Sequence, residues 1–84
     1  MEACYITFRS VTYAQRGEQT LREKGNRCSL RRTPRWMEER GCGYCLVLRG
    51  PDGAGAAALL RQGQVPFRKV YLGKESGQLR EVAL

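Results

Sequence analysis

The sequence predicts an α+β fold of order βαββαβ, and three observations predict it. Cys4 to Arg9 alternate between apolar and polar side chains. Two later stretches, Val11 to Leu21 and Ala54 to Arg61, repeat apolar or small residues at helical spacing. Glycine or proline punctuates the chain at Gly25, Pro34, Gly41, Gly43, Pro51 and Gly63.

In the first strand, Cys4, Ile6 and Phe8 lie on one face and Tyr5, Thr7 and Arg9 on the other, as a half-buried strand requires. Ser10 then offers an N-cap oxygen to a helix in which Val11, Ala14, Gly17 or Glu18, and Leu21 share a face, and Gly25 stops it. Glycine inside a helix costs about 1 kcal/mol relative to alanine, so Gly17 is expected where the helix packs closely against something. Residues 27 to 32 form a second strand, with Cys28 and Leu30 inward and Arg27, Ser29 and Arg31 outward, ended by Pro34. Trp36 to Arg40 is a helical turn or irregular loop, with Trp36 and Met37 as packing anchors, and Tyr44 to Arg49 is the third strand. Asp52 is placed to cap a short helix, Ala54 to Arg61, stopped by Gly63. Phe67 to Leu72 is the final strand.

This order is the ferredoxin-like split βαβ plan, with two helices on one face of a four-stranded antiparallel sheet. It predicts one domain over residues 4–72 and a C-terminal tail, 73–84, that frays or adds a weak extra strand. The other sheet face would carry Tyr5, Ser29, Arg31, Lys69 and Tyr71, a polar, basic surface open to a ligand or to a second copy of the chain in a homodimer.

Eighty-four residues allow one modest core and little room for elaborate catalytic machinery. Lys and Arg number 15 against 8 Asp and Glu, a net charge of +7, which favours phosphate, anionic lipid or an acidic partner protein. No apolar run reaches the roughly 20 residues of a membrane span, and Met1-Glu2-Ala3-Cys4 lacks the pattern of an export signal, so a cytoplasmic chain without membrane association is expected. In that reducing compartment the four cysteines are expected as thiols.

The chemistry is expected at Arg32-Thr33-Pro34-Arg35 and Gly41-Cys42-Gly43-Tyr44-Cys45. The thiolate is the reactive form of cysteine, and cations and backbone N–H groups lower its pKa. Arg31, Arg32, Arg35 and Arg40 supply cations, while Gly41 and Gly43 allow successive N–H groups to turn toward Cys42 as in an anion-binding nest. Cys42 is therefore the candidate reactive thiol, with Cys45 a second or resolving thiol, or simply a small apolar residue opening a buried strand. The arginine forks suit an oxyanion, a selenide or a sulfide-bearing group beside Cys42.

Histidine is absent, which removes the commonest general base and the commonest nitrogen ligand for metals. A zinc site would need Cys4 and Cys28 to join Cys42 and Cys45, yet both point inward from separate strands, so neither a metal nor another cofactor is expected. Cys42-Gly43-Tyr44-Cys45 has the form of a thioredoxin-type redox motif, but the helix start that such a motif requires is replaced here by the strand Leu46-Val47-Leu48. Arg40-Gly41-Cys42-Gly43-Tyr44 also follows the basic-Gly-aromatic-Gly-aromatic pattern of an RNA-recognition motif, with Cys42 where the first ring belongs and Tyr5 supplying a ring on the first strand.

The opening Tyr5-Ile6-Thr7-Phe8-Arg9-Ser10, the helix into Leu21 and Gly25, Arg32-Thr33-Pro34-Arg35, and the Cys42-Gly43 step together resemble a small bacterial family, the selenium/sulfur carrier protein-like proteins. The likeness runs from residue 4 to about residue 72 and is most specific at the Pro-Arg and Cys-Gly elements. It implies that Cys42 accepts sulfur or selenium as a persulfide or perselenide and passes it on, with Pro34, Arg35 and Gly43 around the cargo; the nest reading of the residues adds Gly41. The partners implied are donor and acceptor proteins, and the chain is expected to be a carrier more than a turnover enzyme. Cys45 stands outside the family pattern, which favours a single carrier cysteine. The competing expectation is a non-catalytic module that uses its basic sheet face to bind RNA or an acidic protein.

Overall fold

A computed structural model describes residues 2–34, 43–50, 53–74 and 79–82. The elements in chain order are β1 (Glu2–Thr7), α1 (Val11–Glu23), β2 (Cys28–Arg32), β3 (Tyr44–Arg49), α2 (Gly53–Gln62), β4 (Val70–Lys74) and β5 (Leu79–Val82). The strands make one antiparallel sheet in the order β2-β3-β1-β4-β5. The α+β class holds, whereas the expected four-stranded ferredoxin-like sheet is corrected to five strands. The extra strand comes from the tail, whose Leu79, Arg80, Glu81 and Val82 pair with Gly73, Leu72, Tyr71 and Val70 and so satisfy an edge that β4 would otherwise expose.

Both helices cover one sheet face. Ala14 and Leu21 of α1 and Ala56 and Leu60 of α2 share a buried cluster with Cys4, Ile6, Phe8, Cys28, Leu46, Leu48 and Val70. Alternation in β1 and β2 thus placed Cys4 and Cys28 correctly, as core residues. Gly17 is buried at the closest approach of α1 to the sheet: a Cβ there would lie 2.9 Å from the Phe8 ring and 3.1 Å from Leu46. The Ser10 Oγ accepts from the Tyr13 N–H at 3.2 Å and caps α1, as the sequence indicates. At the other end Gly25 takes φ +85°, with its N–H donating to Arg22 O and that of Asn26 to Leu21 O, a Schellman close.

Three boundaries differ from the sequence reading. The left-handed residue that closes α2 is Gln64, at φ +59°, with the Val65 N–H donating to Leu60 O; Gly63 instead makes room for Thr20, whose Cγ2 would lie 2.9 Å from a Cβ there. β4 starts at Val70, later than Phe67, because the Lys69 N–H donates to the Thr7 side-chain oxygen at 3.1 Å and the regular ladder gives way there. β1 ends at Thr7, although Phe8 remains fully buried against α1. Asp52 as a cap and the turn at Trp36 to Arg40 lie outside the described residues.

The second sheet face departs most from expectation. Tyr5 and Tyr71 are register partners, only 8% and 6% exposed, and they pack with Ala3, Cys45 and Val47, with Leu79 of β5 against them. The centre of this face is a second apolar layer. Polar side chains border it, and Lys69 and Glu81 pair at 3.6 Å. Tyr5 and Tyr71 are thus corrected from open-face residues to buried ones, since aromatic rings paired across neighbouring strands bury one another, while Ser29 and Arg31 on β2 are exposed as expected.

Candidate functional site

The candidate chemistry lies on the connection between β2 and β3, which leaves and re-enters the sheet through a narrow neck. Arg32 pairs with Tyr44 at the end of the ladder, and the Thr33 N–H donates to Gly43 O at 2.8 Å, one step further. Thr33 and Gly43 are both buried. Gly43 holds φ +79°, a backbone state that a side chain disfavours. On the ladder side of the neck, the Arg32 guanidinium sits 5.5 Å from the Tyr44 ring centroid, so a cation is held over an aromatic face there. Arg31 pairs with Cys45 one rung below.

Of the site residues drawn from sequence, Pro34 is half-buried just beyond the neck, and Gly43 forms half of it. Arg35, Gly41 and Cys42 lie outside the described residues. Cys45 is fully buried on the sheet face opposite the helices, between Thr7 and Arg31 in the cross-strand row. Cys4 and Cys28 belong to the helix-side core, so the sheet separates them from Cys45 and the described cysteines do not converge on a common centre.

Cys28 has a thiol pushed above its ordinary pKa, chiefly by burial; the Arg22 hydrogen bond pulls the other way and the Glu18 carboxylate adds to the rise. Its Sγ donates to Glu18 O at 3.7 Å. It is protonated at neutral pH and sheltered, the reverse of an activated sulfur.

Sequence reasoning missed the parts played by Thr33 and Tyr44. A threonine before Pro34 reads as an ordinary strand end, and only its pairing with Gly43 shows that it closes the loop. The Tyr44 contact follows from β2–β3 register, which a single strand's periodicity does not specify.

The family model described as Putative Se/S carrier protein-like matches residues 3–72, and the chain belongs to that family. The match spans β1 through the middle of β4, including the neck and its loop, and leaves β5 outside. No curated protein and no solved structure is significantly similar to the chain. Among the described residues, no helix is long and apolar enough to cross a membrane.

Proposed function

We propose that the protein carries sulfur or selenium in the cytoplasm as a persulfide or perselenide on Cys42, between a donor and an acceptor protein. The family match carries this reading. The geometry supports it through the Thr33–Gly43 neck, which anchors the residue after Cys42 where a left-handed glycine turns the backbone and where the Arg32 guanidinium lies over the Tyr44 ring.

In the proposed step, the Cys42 thiolate attacks the outer sulfur of a donor persulfide. A new S–S bond forms at Cys42, the donor's S–S bond breaks, and the donor leaves as its thiolate, so no external oxidant or reductant is needed. An acceptor thiolate removes the atom by the same exchange. Arg35 and the peptide N–H groups around Gly41 and Gly43 stabilise the anionic sulfur, and Pro34 fixes the direction in which Arg35 leaves the neck. A perselenide moves identically. The full burial of Cys45 supports a packing role for it, leaving Cys42 as the single carrying thiol.

The reading is tested by incubating reduced protein with polysulfide and measuring cyanide-labile sulfur. Wild type and Cys45→Ser should bind the label and Cys42→Ser should not. Equal labelling of Cys42→Ser and wild type would defeat the proposal. The competing use of Tyr5 as a base-stacking ring finds no support in a side chain 8% exposed.

A further inference from the structure

The sheet has two edge strands, β5 and β2, and β2 is the one that runs into the neck. The Thr33 N–H donates to Gly43 O and the Gly50 N–H to Glu2 O, which fixes the hydrogen-bond phase of β3 from both sides. Residues 45 and 47 turn their backbone groups to Arg31 and Ser29, so Cys28, Leu30 and Arg32 direct theirs outward, off the sheet. The Cys28 carbonyl is already used, accepting from the Arg22 guanidinium at 3.1 Å. Arg22 is itself paired with Glu18 at 3.2 Å and acts as a fixed stop at that end of the edge. Leu30 and Arg32 remain, with two donors and two acceptors in a row that no described residue bonds. From Asn26 to Pro34 the chain holds no acidic residue, and Arg27 and Arg32 are exposed at either end of β2. Arg27 has no acidic partner among the described residues, Arg32 meets the Tyr44 ring, and Arg31 is engaged within the chain and is not counted.

We propose that β2 takes up an extended acidic segment of a partner protein as a sixth, antiparallel strand, with an apolar side chain beside half-buried Leu30 and carboxylates meeting Arg32 and Arg27. A peptide strand presents N–H and C=O together and so satisfies both kinds of group on Leu30 and Arg32. A phosphodiester linkage offers acceptors alone and would leave the two carbonyls unmet. A second copy of the chain is a poorer occupant, since two chains of +7 repel one another and the two-fold register centred on Leu30 needs the Cys28 carbonyl that Arg22 holds. The same arginines thereby protect the edge from self-association while drawing in an acidic strand. This inference does not rest on sulfur transfer.

The test is fluorescence anisotropy of the full chain with a labelled peptide, Glu-Glu-Val-Thr-Val-Glu-Glu, blocked at both ends. With its first Glu at Arg32, its first Val falls at Leu30, its Thr at Ser29 and its third Glu at Arg27. N-methylation of the first Val amide, which points at β2, should weaken binding about tenfold or more, whereas N-methylation of the Thr amide, which points away, should change it by less than about twofold. Arg27→Gln should weaken binding by up to about fivefold. Lys74→Gln, at an exposed position on β4, and Cys42→Ser should bind as wild type does. Circular dichroism confirms that each variant is folded. The proposal is overturned by no binding, by equal effects of the two methylations, by equal effects of Arg27→Gln and Lys74→Gln, or by oligouridylate displacing the labelled peptide as well as unlabelled peptide does.

Discussion

Gly17→Ala measures how tightly α1 is seated on the sheet. On helix propensity alone the change stabilises by about 1 kcal/mol. Packing opposes it: the new methyl would meet Phe8 at 2.9 and 3.1 Å and Leu46 at 3.1 Å. Both side chains are fully buried, so neither has solvent to retreat into. Overpacking of a core costs about 1–3 kcal/mol, and three simultaneous close contacts put this site in the upper half of that range. The net expectation is a loss of about 1–2 kcal/mol, read from urea unfolding, with a fall in Tm of about 4–8 °C per kcal/mol. Repeating the substitution in a Phe8→Leu background, which removes the ring edge that clashes, should shrink the penalty by about 0.5 kcal/mol or more. A Gly17→Ala protein as stable as wild type, or a penalty unchanged beside Leu at position 8, would refute the argument.

Three further outcomes follow from the same geometry. Ser10→Ala removes the acceptor for the Tyr13 N–H and should cost about 1 kcal/mol by chemical denaturation, while Ser10→Asp should restore most of it. Gln64→Gly relieves a left-handed side chain worth about 1–2 kcal/mol, less about 0.5–1 for glycine's added freedom in the unfolded chain, so a small gain in Tm is expected. Because the folded Cys28 pKa lies above the ordinary value of 9.0, its contribution to stability is intact below that pH. It is lost as pH rises from there through the folded value; Cys28→Ala should flatten this alkaline decline in a pH series of unfolding midpoints.

Period-two alternation located β1 and β2, and the helical spacing of α1 put Ala14, Gly17 and Leu21 on the buried side, although Val11, expected beside them, is exposed at the start of the helix. These are local signals, each set by one segment's own pattern. The fifth strand was legible only as a weak tail, since Leu79–Val82 has little apolar character of its own and depends on pairing with β4. The second apolar layer was misread because Tyr5 and Tyr71 look like surface residues until register sets their rings side by side. The helix end at Gln64 was missed because glycine is the expected left-handed residue and Gly63 stood next to it, held there for Thr20. At the candidate site, Cys42 and its glycines stood out in the sequence by residue type, and the structure adds the neck that anchors Gly43.

The central claim is that one sulfur, Cys42, carries the cargo. Intact-protein mass spectrometry after exposure of the reduced protein to a persulfide or perselenide donor, followed by peptide mapping, tests it directly. The account predicts one added sulfur or selenium atom, mapped to Cys42 and absent only from Cys42→Ser among the four single Cys→Ser variants. An unmodified protein, or an adduct that persists without Cys42 and spreads over Cys4, Cys28 and Cys45, would contradict it.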